Sequence, residues 1–519
     1  MNLIGNVVGG SVGEHIVIRL KSDSKVDVGD IIKINSGNDD YFGKITNVKI
    51  FSSVPEQFIH EIAGQKLEHG YENHLFDRED RFFRIAEAKV LKIMRKNVGF
   101  VPPRSIPEYF SQVNVIDSSD FSFMQNNGRI PIGFLRLGTK EMDTFIVKLK
   151  GEELISHHIL VVATTGKGKS NFAKVFIRGL MMEPNSSAVV FDPHAEYYGE
   201  KNIKGLRDHP KKSKVLYFTP RTAEFPGSES LVIHADELNP SDFMGVVNFS
   251  DAQVEAMDAL YKRAGRKWLA YLINTDMSEI EKSLDSKVMK ATIASLKRKV
   301  CYAMELEDER EGLVFTTRES INNMSMFKKV INAVMNSKII IVDTSIIGGE
   351  SEKLISGAIT RRIYNFYRKA KQQNPDYFKQ LPETMVLFEE APRVLGKEAL
   401  AGGSNVFEKI AREGRKFKVG LCAITQMPHL IPKEILSQMN TKIILGLPSS
   451  ADRTAVIESA PQNINDESRE IQMLDRGEAI ITSAFTDFPM PVKIFNFSTI
   501  LEQDNEQMKE QKTFIVGME

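Results

Sequence analysis

The stretch HILVVATTGKGKSN (158–171) runs an apolar strand into a glycine-containing loop, then into Lys169-Ser170 and a helical pattern. That order is the layout of a phosphate-binding loop. A triphosphate carries several negative charges that must leave water. A tight loop wraps backbone N–H groups around the β-phosphate, and the helix N-terminus adds its dipole. Gly166 and Gly168 let the backbone turn and approach closely, Lys169 reaches the β- and γ-phosphates, and the Ser170 hydroxyl ligates Mg²⁺. The residues expected to touch nucleotide are Thr165, Gly166, Lys167, Gly168, Lys169, Ser170 and Asn171. The pattern G-x-x-x-x-G-K-[ST] places its first glycine at 163, where this chain has Ala163, a small residue at the end of the strand.

Such a loop needs an acid near the metal and a group that orients the attacking water. MVLFEEAPR offers Glu389-Glu390 at a strand end, and two adjacent acids can divide that labour. The metal-shell role is read onto Glu389 and the water-activating role onto Glu390. KIIIVD ends in Asp343, which stays as the alternative metal-shell acid or, otherwise, a carboxylate capping the next helix. SAVVFDPHAEY adds Asp192, in reach of the metal shell or the water, and His194, read as a structural, hydrogen-bonded histidine because no Cys/His cluster accompanies it. Thr425-Gln426 after VGLCAI supplies a polar sensor for the γ-phosphate, or simple turn chemistry before Pro428. In KIAREGRKFKVG, Arg412 and Arg415 lie three apart on one expected helical face. Arginine suits phosphate and can act on a neighbouring subunit's site. By themselves these two read as a solvated helix salt-bridged to Glu408 and Glu413.

These residues need a scaffold. From about 129 onward, short apolar runs such as SAVVFD, KVLYFT and KIILGL alternate with helical patterns, which predicts a parallel sheet covered by helices, an α/β class. Between about 238 and 334 the strand signal fades into amphipathic helical patterns, read as a helical insertion. The first ~100 residues read as short β-branched strands (15–20, 30–35, 43–51, 88–94), a small barrel or sandwich, with 52–84 a loop or helix laid over it. Residues 501–519 are polar and end in Phe514-Ile515-Val516, either a frayed tail or an arm that docks its apolar end elsewhere. The domains expected are 1–125, 126–500 with the insertion, and a 501–519 extension.

The 519 residues carry 68 Lys plus Arg against 68 Asp plus Glu, which excludes a uniformly basic nucleic-acid coat but not a local basic channel. Basic stretches at Lys211-Lys212-Lys214, Lys297-Arg298-Lys299 and Arg361-Arg362 with Arg368-Lys369 read first as solvated faces. Two distant cysteines, Cys301 and Cys422, make neither a disulfide framework nor a four-cysteine zinc site and fit a reducing compartment. The apolar runs fall far short of a ~20-residue membrane span, and the N-terminus lacks a secretion pattern, so an intracellular protein is expected.

VVATTGKGKSN, FDPHAEYY, VLFEEAPRVL and AREGRKFKVGLCAITQMP, in this order behind a β-rich domain, resemble the HerA family of archaeal DNA translocases within the wider HerA–FtsK group of P-loop motor ATPases. The resemblance covers most of the chain. It implies a RecA-like motor core with a helical insertion, preceded by a HAS-type β-barrel. Position by position, it implies Lys169 and Ser170 as the Walker A pair, Glu390 as the catalytic glutamate and Glu389, where many relatives have aspartate, before it. Asp192 becomes an additional acid and Gln426 the sensor. Arg415 is the trans-acting finger, with Arg412 a second candidate and Lys397 a further basic residue acting in trans. ATP and Mg²⁺ are the implied cofactors. The implied assembly is a homohexameric ring passing double-stranded DNA through its pore. It would act with a NurA-like nuclease in end resection for double-strand break repair by recombination, linked to the break-sensing repair nuclease complex, in an archaeal, nucleoid-associated cytoplasmic setting without membrane. The alternative from another class is a nucleotide-gated DNA-binding ring or nuclease scaffold without processive movement, against which the Glu389-Glu390 pair argues.

Overall fold

The computed structural model describes residues 3–12, 15–69, 78–116, 128–138, 140–200, 202–284, 288–307, 311–318, 325–401, 405–486 and 488–516. The expected boundary at 125 lies outside them.

The N-terminal strands are β1 (Leu3–Gly10), β2 (His15–Leu20), β3 (Ile31–Ser36), β4 (Asp39–Ser52), β5 (Phe82–Arg95), β6 (Gly99–Val101) and β7 (Gln112–Val115). They pair antiparallel in the order β2-β1-β7-β3-β4-β5-β6, and β2 also pairs with β5. That last pairing closes a barrel, resolving the choice between barrel and sandwich. Alternating residues such as Ile16, Ile18, Ile34, Ile45, Ala88 and Val113 fill its interior. Register shifts at Phe42/Gly43 and Ile45/Asn47 bend the long β4–β5 pair around the closure. The interruption at 52–84 contains a helix, Glu56–His69, but most of its side chains are exposed, so it does not pack down as a cover; residues 70–77 lie outside the described residues.

The remaining strands are β8 (Ile130–Leu137), β9 (Lys140–Leu149), β10 (Ile159–Val162), β11 (Ser186–Asp192), β12 (Val215–Thr219), β13 (Glu229–Ser230), β14 (Ile233–His234), β15 (Phe315–Thr316), β16 (Ile339–Asp343), β17 (Glu383–Phe388), β18 (Val419–Thr425), β19 (Thr441–Ile444), β20 (Glu478–Ser483) and β21 (Met490–Ile494). All but β14 and β15 form one 12-stranded sheet, ordered β13-β12-β16-β11-β17-β18-β10-β19-β20-β21-β8-β9. The run from β13 to β19 is parallel and the rest antiparallel. Each central strand is buried on both faces, as its uninterrupted apolar run dictates. Leu160 and Val162 of β10 point into one core, Ile159 and Val161 into the other. The insertion is mostly helical, from Pro240–Phe243 to Met326–Met335, and its β15 pairs with β14 just before it. Its Trp268, Leu296 and Val300 share a core with Val162 and Val189, so it is continuous with one layer of the motor.

The C-terminal stretch expected as a tail is a helix, Phe497–Val516. Its first turns dock on the chain itself: Ile500 and Leu501 are buried, and Asp504 receives Arg178 of the helix after the phosphate loop and His209 Nε2 at 3.2 Å. The side chains of Phe514, Ile515 and Val516 lie outside the described residues. Among the described residues no helix is long and apolar enough to cross a membrane.

Candidate nucleotide site

Because β10, β11, β16, β17 and β18 run parallel, their C-terminal ends share one edge of the sheet. The loop after β10 crosses that edge and ends in the helix Lys169–Met182. Gly166 and Gly168 are left-handed, φ 80° and 107°, which an L side chain would strain; Gly168 is the residue that turns the chain into the helix. The Lys169 ammonium is pushed below its usual range by burial, against the opposing pull of Glu389, Glu390 and Glu196, so these acids converge on it. Gln426 joins them from β18: its amide oxygen accepts the Thr165 hydroxyl at 2.8 Å, tying the strand end to the loop rim.

Glu389 and Glu390 follow β17, which is separated from β10 by β18 alone. Two strand spacings put them about 10 Å across the edge. Glu389 is buried and accepts the Tyr197 hydroxyl, with His194 Nε2 at 3.7 Å. Burial raises its carboxyl, against the lowering effect of the Tyr197 hydrogen bond. Glu390 is partly exposed, and its backbone is left-handed at φ 51°, a sparsely populated conformation for a glutamate. Ala195, facing it in the loop after β11, is also left-handed at φ 54°.

Other residues sit differently from expectation. Asp343 ends β16, four strands from β10, about 19 Å away. Its oxygens accept from Thr219 Oγ1 (2.7 Å), Tyr217 (3.0 Å), Arg221 Nη2 (3.1 Å) and both the Ser345 hydroxyl (2.6 Å) and N–H (3.1 Å). Burial pushes its carboxyl up, but the Ser345 and Thr219 hydrogen bonds and the Arg221 charge outweigh it and hold it below the ordinary range. The next helix is capped at Gly348, so Asp343 is not its cap, and its oxygens are engaged by these protein donors. Asp192 lies at the site edge but is fully buried, and its two oxygens accept the N–H groups of Glu196 (3.0 Å) and Tyr197 (2.9 Å). Burial raises it to about 6. It thereby anchors the loop that carries Tyr197. His194, expected as a structural, hydrogen-bonded histidine, is exposed, with Glu389 at 3.7 Å. Asn171 spends its amide on Phe495 O (2.7 Å) and the Phe497 N–H (2.9 Å), turned toward the C-terminal helix. Lys167 likewise points its ammonium away, to Leu474 O at 2.7 Å.

The helix carrying Arg412 ends at Glu413, and Arg415 sits in the 3₁₀ turn Gly414–Phe417, so the two do not share one helical face. Gly414, packed against Val419 O and His158, leaves no room for a side chain where the helix would continue. Both arginines are exposed; Arg412 pairs with Glu408 at 2.9 Å. The turn precedes β18 and so lies at the N-terminal edge of the sheet, about 20 Å from the loop across the length of a seven-residue strand. Lys397 lies with Lys353, Arg393 and His429 on a cavity of about 750 Å³ that none of the phosphate-loop residues lines. Arg361 and Arg362 both bind the buried Asp242 and are not free for a partner.

Tyr197, which orients Glu389, was missed as a functional residue although it stands in the same FDPHAEY stretch as Asp192. Its spacing from Asp192 was the available signal, since the turn that Asp192 anchors presents the residue five positions on.

Residues 130–363 match the family model described as "Helicase HerA, central domain". The chain is 28% identical over 517 residues to the "DNA double-strand break repair helicase HerA" of Saccharolobus solfataricus, covering 98% of this chain and 96% of that protein. To the protein of the same description from Pyrococcus furiosus it is 25% identical over 390 residues, 68% of each chain. Among solved structures, VirB4 of Thermoanaerobacter pseudethanolicus is similar, with a TM-score of 0.46 at 17% identity, covering 72% of this chain and 98% of that one.

Proposed function

We propose that this chain, whose residues 130–363 match the HerA central-domain model and which aligns over nearly its full length with a HerA helicase, is an ATP-hydrolysing motor of that kind moving on double-stranded DNA. The observation that carries the proposal is the convergence of Lys169, Glu389, Glu390 and Gln426 on one edge of a parallel sheet while Arg415 stands at the other. An arginine there cannot reach its own chain's loop. It can reach a neighbour's only if protomers meet head to tail, and repeated head-to-tail contacts close into a ring. We read the assembly as a homohexamer with duplex DNA in its pore, acting with a NurA-like nuclease in the end resection that precedes recombinational repair. The setting proposed is cytoplasmic and nucleoid-associated.

In this reading the loop 165–169 wraps the β-phosphate with backbone N–H groups and Lys169 neutralises the β- and γ-phosphates. Ser170, whose hydroxyl makes no hydrogen bond among the described residues, and the buried Glu389 are an all-oxygen set that fits a hard cation. They would hold Mg²⁺, which would supply positive charge to the phosphates as negative charge develops. Glu390 accepts the proton of the water that attacks the γ-phosphorus as ADP leaves. Gln426, tethered to Thr165, senses the γ-phosphate. The neighbour's Arg415 stabilises the transition-state charge.

The test is ATP hydrolysis by the purified full-length protein with and without linear duplex DNA. DNA-stimulated turnover that Glu390→Gln abolishes supports the reading; turnover that ignores DNA, or survives in Glu390→Gln, overturns it.

A further inference from the structure

Lys167 lies in the phosphate loop, yet its ammonium faces away from the loop's mouth. Its partner, Leu474 O, begins a segment that grips the loop repeatedly. The Gly477 N–H donates to Lys167 O at 3.1 Å, and the Thr164 N–H donates to Gly446 O at 3.3 Å. The 446 and 474 segments are themselves joined, since the Leu447 N–H donates to Ile471 O at 3.3 Å.

Just upstream of Leu474 is the short helix Ser468–Met473, which carries Glu470. Glu470 is 5% exposed and is held from outside the helix by two cations: Lys44 of barrel strand β4 at 2.6 Å, and Arg136 of β8. Lys44 is itself 3% exposed, with Glu467 at 3.7 Å. Around this pair the barrel adds Lys89 to Asp466 (2.8 Å) and to Asn463 O (3.1 Å), and His15 to Asp466 (3.3 Å). The left-handed Gly29, φ 98°, packs onto Glu470 at the closest point, where a Cβ would stand 3.3 Å from the carboxylate. Breaking a buried pair by removing one partner is strongly unfavourable, so segment 463–474 follows the barrel as one body. A continuous contact path therefore runs from Lys44 to Glu470, along one helical turn to Leu474 O, and through Lys167 into the loop.

We infer that Lys167 and Glu470 are positioning residues of the phosphate loop, and that the barrel sets the loop's shape through its Lys44 grip on Glu470. The inference rests on the reading of this loop as a nucleotide site.

Two measurements on the full-length protein test it. In hydrogen–deuterium exchange, Lys44→Met should speed exchange of amides 164–168 about tenfold while those of β11 are unchanged, and Lys44→Arg should restore protection. In steady-state ATP hydrolysis, Lys167→Met should raise KM for ATP about tenfold with kcat within about twofold, and Lys167→Arg should stay near wild type. Unchanged protection at 164–168 in Lys44→Met overturns the inference. So does a Lys167→Met enzyme with unchanged KM, or one that loses kcat alone. If the wild-type chain hydrolyses no ATP while the exchange effect is present, the clamp stands and the motor reading falls.

Discussion

The two edges of the parallel sheet are built from the same strands and carry opposite chemistry. At the C-terminal edge, β10, β17 and β18 end in a phosphate loop, a pair of acids and a glutamine, with two non-glycine residues held left-handed among them. At the N-terminal edge the same strands begin beside His157, His158 and the turn bearing Arg415. His158 is buried, accepts the Leu421 N–H at 3.0 Å, and is pushed by burial down to about 4. It therefore stays neutral and braces the strand that starts after the arginine turn. One edge gathers acids around the loop and the other shows Arg415 to solvent; both carry left-handed non-glycine residues, Glu390 and Ala195 at the first, His158 and Lys418 at the second. On the function proposed, each chain holds most of one site and supplies Arg415 to another. β10 links the two, with a loop at one end and the arginine turn's brace at the other.

The comparison breaks most visibly at the loop. Lys169→Ala should cost at least about 10³-fold in kcat/KM, because it removes the phosphate-loop cation on which the acids of that edge converge; a loss under tenfold would mean that the C-terminal edge is not the phosphate site. Next is Asp343→Asn, which separates an acid on the edge from an acid in the site. It should lower stability by about 3 kcal/mol in urea melts, since Arg221 loses its buried partner, and leave kcat within about threefold. A collapse of kcat at undiminished stability would return the metal-shell role to Asp343. Tyr197→Phe sharpens the assignment of Glu389: loss of the hydroxyl should reduce kcat about tenfold with little change in stability, read in steady-state turnover.

The remaining effect lies at the opposite edge. Lys442, fully buried at the start of β19, donates to Leu436 O and Met439 O at 2.9 Å each. Burial lowers its ammonium to about 7. Between that value and the ordinary lysine value the unfolded chain binds the proton more tightly than the fold does, so the wild type gains stability as pH rises from 7 toward 10. Lys442→Met removes that gain. The stability difference in favour of wild type should grow by up to about 1.4 kcal/mol per pH unit over that range; parallel pH profiles would contradict the burial.

Much of this architecture was legible in local pattern. β-branched runs bounded by Gly, Asp and Asn marked the barrel strands, and four-to-six-residue apolar runs marked a sheet buried on both faces. What escaped was non-local. Barrel closure depends on β2 meeting β5 across some seventy residues, and no local pattern distinguishes that from a sandwich. The different distances of Asp343 and Glu389 from the loop follow from strand order, β16 lying beyond β11 while β17 lies beside β18. The Arg412–Arg415 face failed because Gly414 ends the helix at a place set by β18 and His158, both distant in sequence. Asn171 and Lys167 sit inside the motif but turn their side chains to segments hundreds of residues away. The C-terminal stretch looked like a tail because its polar residues find their partners, Arg178 and His209, only after folding.

The central claim is that one chain's loop and another chain's arginine make a working site. The direct measurement mixes Arg415→Ala with Glu390→Gln, each inactive alone, and follows ATP turnover against mixing ratio. The account predicts activity that peaks at intermediate ratios, where an intact loop and acid face an intact arginine; turnover that stays at background at every ratio, with both variants co-assembled, would contradict it.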